Sequence, residues 1–159
     1  MPAKPKPYDW TQFRLKILIA APPSKLFAAW TNDRIVSKWF TVKTVIEPKK
    51  NGRIYFEWLG GDEMEAKVLG MTENRRFHFP FGKHNEQVEI SIKKAPGGSV
   101  CELHQFNIRT TPKDKVAMHM GCKEGWTFFL TNLKSFLEHG IDLRSHDPKR
   151  CYRQGYVNS

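Results

Sequence analysis

The sequence predicts an α+β domain in which an antiparallel sheet lies against a long C-terminal helix. Three observations predict it. Alternating apolar and polar residues recur from residue 12 to about residue 109, and short turns rich in Gly, Asn and Pro separate those runs. From Thr111 to Glu138 the apolar period changes to that of a helix. At 159 residues the chain has enough surface to bury for one proper core and too little for two.

The first strand is residues 12–20, with Phe13, Leu15, Ile17 and Ile19 on one face and Arg14, Lys16 and Leu18 on the other. Pro22-Pro23-Ser24 ends it and suits a helix start, after which Leu26, Phe27 and Trp30 recur at helical spacing as far as Thr31-Asn32-Asp33. Arg34 to Trp39 makes a second short helix. Strands follow at 42–47, 53–59, 63–71, 76–81, 86–94 and 99–109, introduced in turn by Asn51-Gly52, Gly60-Gly61 and Pro96-Gly97-Gly98. Connections this short pair consecutive strands antiparallel. The rows Ile54/Phe56/Trp58, Phe77/Phe79/Phe81 and Val88/Ile90/Ile92 give one sheet a dry face, while Arg53/Glu57, Arg76/His78 and Glu89/Ser91/Lys93 give it a wet one.

Thr111-Pro112-Lys113-Asp114 resembles a capped helix start and Gly140 suits its end. On a regular helix His119, Cys122, Trp126, Phe129, Leu130, Leu133 and Leu137 share one stripe, which must lie on the dry face. Phe128 sits nearly opposite and is expected to be exposed, under the C-terminal tail or at a dimer contact.

Lysine and arginine total 26 against 16 acids, a formal charge of +10. Residues 1–50 carry ten basic and three acidic side chains, residues 51–139 twelve and eleven, and residues 140–159 four and two. The body is therefore nearly neutral, and a solvated basic face is favoured over a nucleic-acid partner. With 40% hydrophobic residues the chain is too apolar for disorder, and no apolar run approaches a membrane span. No signal-peptide core follows the N-terminus, because Arg14 and Lys16 interrupt the first apolar segment. Together with three unpaired-looking cysteines (Cys101, Cys122, Cys151), this places the chain in the cytoplasm.

Catalytic motifs are lacking: there is no phosphate-binding glycine loop, no Gly-x-Ser-x-Gly and no His-Glu-x-x-His. Cys101 and His104 point to opposite faces of a strand, which leaves only His119 and Cys122 as a helical ligand pair, too few for zinc. No carboxylate accompanies that pair to support a nucleophile. The sequence therefore assigns no catalytic residue, no metal and no cofactor.

Ile19-Ala-Ala-Pro-Pro-Ser-Lys-Leu-Phe-Ala-Ala-Trp30, Ser37-Lys-Trp-Phe40, Asn51-Gly-Arg-Ile-Tyr-Phe56, Arg75-Arg-Phe-His-Phe79 and Glu124-Gly-Trp-Thr-Phe-Phe-Leu-Thr-Asn-Leu-Lys-Ser-Phe-Leu137 occur in that order. This series resembles the activator of heat-shock-protein-90 ATPase homologue-like family of the SRPBCC superfamily. The resemblance covers residues 12–144, leaving a flexible basic arm at 1–11 and a tail at 145–159. It implies the helix-grip fold, also seen in the birch pollen allergen and START lipid-transfer domains, in which a curved sheet wraps the C-terminal helix, two short helices follow the first strand, and a cavity often separates sheet and helix.

In such a fold Trp58, Phe56, Phe79, Gln105, His119, Cys122, Trp126 and Phe129 would surround the cavity, with Trp39 and Phe40 near one mouth. Gln105 shares strand parity with Cys101 and Leu103, so its amide should point inward and need a partner. With His119 it could orient the polar end of a ligand. The same aromatic rows describe a filled core equally well, and Gly125 fits either a close helix–sheet approach or a ligand. The expected partner is a small hydrophobic or amphipathic molecule, bound without catalysis. The family name implies the alternative, a chaperone-associated interaction module, and related SRPBCC branches include cyclases and hydroxylases.

Overall fold

The computed structural model describes residues 1–159. β1 (Phe13–Ile19) is followed by α1 (Pro23–Thr31) and α2 (Asp33–Val36), and then by β2 (Lys43–Ile46), β3 (Arg53–Glu57), β4 (Glu63–Lys67), β5 (Gly70–Thr72), β6 (Arg76–Pro80), β7 (Gln87–Ala95) and β8 (Gly98–Phe106). A continuous helical stretch comprises α3 (Pro112–Asp114), a π-helical segment (Lys115–Gly121) and α4 (Cys122–His139). This is the expected α+β helix-grip arrangement. Its two departures from expectation lie in the sheet and in the helix.

The expected single sheet is two. Five strands run in the order β1-β8-β7-β6-β5 and three in the order β2-β3-β4, all antiparallel. The expected strand 63–71 is where they part, because it breaks into β4 and β5 at Val68-Leu69. The Val68 amide donates to the Gly52 carbonyl at 2.9 Å beside β3, and the next amide, Leu69, donates to the His78 carbonyl at 2.9 Å on β6. Val68 itself is fully buried. Both sheets keep one dry face, and the burial pattern of β8 alternates along its whole length. α1 lies over β6, β7 and β8, while α4 runs along β1.

The C-terminal helix starts and stops where capping chemistry demands. Thr111 Oγ1 accepts from the Asp114 amide, and Gly140 adopts φ 69°, a left-handed conformation that favours glycine. Between them the π segment widens one stretch of helix, which no 3.6-residue periodicity predicts. Further along, Asn132 Nδ2 donates to the Trp39 carbonyl at 2.7 Å, and Asn132 Oδ1 accepts from the Leu143 amide at 2.7 Å. Arg144 donates to the carbonyls of Thr41 and Ser37 while pairing with Asp142. These bonds fix α4 to the chain after α2.

Parts of both termini pack on the domain. Residues 1–7 are exposed and outside helix and strand, but Tyr8 and Trp10 pack on His119 and the Thr11 carbonyl accepts from the Ile108 amide. The tail folds back through Cys151, which is buried beside Gly60, and through Asn158, whose carbonyl accepts from the Ser145 amide. Phe128 is half-buried rather than exposed, because its ring leans edge-on against Phe129 at 5.3 Å.

Candidate functional site

An aromatic cluster forms where α2, the ends of β3 and β6, and α4 meet. Phe40 stacks on Trp126 with ring centroids 5.1 Å apart and meets Trp58 and Phe129 edge-on at 5.4 and 4.9 Å. Phe81, just beyond β6, lies 4.9 Å from Trp126 and 6.1 Å from Trp58. These rings bound a cavity of about 410 Å³, within the range that holds small molecules. Met118, Cys122 and Gly125 supply the helical wall, and Leu59 with Tyr152 and Val157 of the tail closes the outer side.

Gly125 shows why the wall is set back. A glycine inside a helix costs about 1 kcal/mol relative to alanine, so its presence asks for a reason. Close packing is not that reason: a Cβ at residue 125 would meet no atom within 4 Å. The space that a side chain would take is part of the cavity. Gly121 differs, since a Cβ there would lie 3.3 Å from the Val116 carbonyl and 3.4 Å from Tyr152 Oη. The helix and the tail approach each other closely at that point.

The cavity has few polar groups. Trp126 Nε1 donates to Gln105 Oε1 at 2.9 Å, which fixes the indole that forms one wall. Gln105 is fully buried behind that wall and its Nε2 makes no hydrogen bond, although the amide acts on the Cys122 thiol and tends to lower its pKa. Burial outweighs this effect and, with the charge of Glu86 adding to it, pushes the thiol up to about 11. Cys122 is therefore a neutral, weakly polar wall group near pH 7, not a thiolate nucleophile. At the rim, Asp62 pairs with Arg153. The site can enclose an apolar body and leave a polar end at the tail.

Of the ten residues expected to surround a ligand, Phe40, Trp58, Cys122, Trp126 and Phe129 line this cavity. Trp39, Phe56, Phe79 and Gln105 are buried in the adjoining core and do not reach it. Trp39 turns its indole N–H to the Ala29 carbonyl at 2.8 Å, and Phe56 and Phe79 face each other at 6.1 Å. His119 is the larger displacement. It lies in the π segment beside the N-terminal arm, where Nδ1 meets the Trp10 carbonyl at 3.0 Å and Nε2 meets Tyr8 Oη at 2.7 Å. Because a carbonyl only accepts, Nδ1 carries a hydrogen, and Nε2 shares one with the Tyr8 hydroxyl. Both ring nitrogens are thus committed to the fold. Phe81 was legible as part of the Phe77/Phe79/Phe81 row, whereas the tail residues gave no periodic signal.

A family model described as Activator of Hsp90 ATPase homolog 1-like protein matches residues 20–138. Among curated proteins none is similar enough in sequence to match. Solved structures share the fold. One of a protein from Staphylococcus saprophyticus is 20% identical, with a TM-score of 0.73, covering 84% of this chain and 96% of that one. One from Mesorhizobium loti is 20% identical, with a TM-score of 0.72 and coverages of 82% and 98%. The solution structure of the Aha1 dimer from Colwellia psychrerythraea is 22% identical, with a TM-score of 0.70 and coverages of 81% and 97%.

Proposed function

The chain belongs to the family described as Activator of Hsp90 ATPase homolog 1-like protein, and from that premise we propose that it is a cytoplasmic, non-catalytic binder of a small hydrophobic or amphipathic molecule. The cavity between Trp58, Phe81 and Trp126 carries the reading, because a module that needed only its outer surface would gain stability by filling it. Gly125 supports it independently, since a costly helical glycine leaves that volume open. The ligand's apolar body sits among Phe40, Trp126 and Phe129, and its polar end faces Tyr152 and Asp62.

Titration with a neutral hydrophobic dye such as Nile red, followed by Trp126 quenching and dye emission, tests this reading. One dye should bind per chain, with an affinity insensitive to salt because the body of the protein is nearly neutral. Gly125→Phe should fill the cavity and lower that affinity at least tenfold while the protein stays folded. Equal dye binding by wild type and Gly125→Phe would refute it.

The family description favours a second reading, a chaperone-associated interaction module that works through its basic outer surface, as a dimer or a monomer. Arg14 and Lys16 project from that surface on β1, each paired with Glu102, so part of the charge is already answered within the sheet. This reading requires a complex with the chaperone at low salt and a change in its ATP hydrolysis, both unaffected by Gly125→Phe.

A further inference from the structure

The loop between β6 and β7 holds a buried carboxyl group with one oxygen unpartnered and no lysine or arginine beside it. Glu86 is 1% exposed. Its Oε2 accepts from the His84 amide at 2.8 Å, while its Oε1 is buried and has no partner. The loop is shaped around this group: Gly82 has φ 141°, and a Cβ there would lie 2.6 Å from Glu86 Oε2. A buried carboxylate without a countercharge is expensive, so such groups are paired, protonated or bound to a cation.

Asp114, 6% exposed at the end of α3, faces the same point from the helix. Thr111 Oγ1 and Arg109 Nε both engage its Oδ2, the latter at 3.1 Å, and no hydrogen bond uses its Oδ1. His84 completes the group with a ring that makes no hydrogen bond. One ligand atom from each of His84, Glu86 and Asp114 lies within 4.8 Å of the others. Arg109 pairs with Asp114, and no cationic side chain pairs with Glu86.

We propose that His84, Glu86 and Asp114 form a binding site for a divalent transition-metal ion, with Glu86 Oε1 as the ligand held in reserve for it. One imidazole and two carboxylates suit Zn²⁺ or Mn²⁺ better than Mg²⁺, and Zn²⁺ binds such sets more tightly than Mn²⁺. Ligand bonds of about 2.0–2.2 Å require the three groups to draw slightly closer. His84, exposed on its loop, is the one free to move. Its residues are not the His119/Cys122 pair that the sequence brings to mind, and none of the three lines the ligand cavity.

The test is calorimetric titration of chelator-stripped, full-length protein with ZnCl₂ and with MgCl₂ near neutral pH, together with thermal melts. Wild type should take up one Zn²⁺ and melt higher with it, with Mg²⁺ binding at least tenfold more weakly. Glu86→Gln and His84→Ala should each lower Zn²⁺ affinity at least tenfold, and Cys122→Ser should not. His84→Ala changes an exposed side chain and keeps the test decisive if Glu86→Gln fails to fold. No Zn²⁺ uptake by wild type, or unchanged affinity in His84→Ala, would overturn the proposal. So would a Glu86→Gln protein that folds and binds Zn²⁺ as tightly as wild type, which would mark Glu86 as a buried neutral acid.

Discussion

His119 and Trp126 project from the same helical stretch, and both are almost fully buried, at 1% and 2% exposure. Around His119 the chain has supplied everything: Tyr8, Trp10 and Phe13 rings at 5.1–5.3 Å and a partner for each ring nitrogen. Around Trp126 the indole N–H is answered by Gln105 and the ring is packed by Phe40 and Phe81, but its remaining edge borders a cavity that Gly125 leaves unfilled. Burial alone therefore does not separate core from site. What separates them is whether the surroundings are closed by the chain's own atoms.

The largest expected effect breaks both halves of that contrast. Trp126→Ala removes a ring packed on Phe40 and Phe81 and leaves Gln105 Oε1 without its donor. It should cost about 3–5 kcal/mol in denaturant unfolding and abolish dye binding. His119→Ala should cost less, about 1–3 kcal/mol, because it unfastens Tyr8 and Trp10 and leaves the Trp10 carbonyl unpartnered. Its dye affinity should match wild type, and a tenfold loss would erase the distinction between the two regions. Gly125→Ala should stabilise by about 1 kcal/mol, since the methyl enters open space and the helix gains propensity.

The smallest effect concerns acid. Burial tends to raise the Asp142 pKa, but the guanidinium and backbone amide of Arg144 and the side chain of Asn132 hold it down to about 2 from an ordinary 3.8. A depressed carboxyl contributes stability that is present above its unfolded pKa and lost as pH falls through the folded one. The contribution should therefore fade between pH 3.8 and 2. Asp142→Asn should flatten the melting temperature across that window. Dye affinity above it should not change.

The sequence made most of the scaffold legible because the scaffold is periodic. Alternation located the strands, Gly140 located the helix end, and parity correctly turned Gln105 inward. Periodicity also produced the errors. Projecting the C-terminal helix put His119 on the same buried stripe as Trp126, and it is buried, but at its place near the start of the helix the stripe meets Phe13 and the N-terminal arm and not the cavity. The run 63–71 alternates well enough to look like one strand, yet hydrogen bonding to different partners splits it. Phe56, Phe79 and Gln105 proved to be core because the dry face continues past the cavity's edge, where they are covered. The tail's contribution was hidden for the opposite reason: Tyr152 and Val157 act as single contacts in irregular chain. His84, Glu86 and Asp114 were hidden by separation, since the fold alone brings the third to the first two.

The break at Val68-Leu69 bears on which molecules the protein could hold. Trp58 continues the three-stranded sheet and Phe81 continues the five-stranded one, so two touching rings of the cavity wall belong to different sheets. Those sheets are joined where two neighbouring amides, 68 and 69, bond in opposite directions. The wall that Trp58 and Phe81 make together is therefore seamed by a backbone joint, and its shape depends on how the two sheets meet there as well as on the residues that line it.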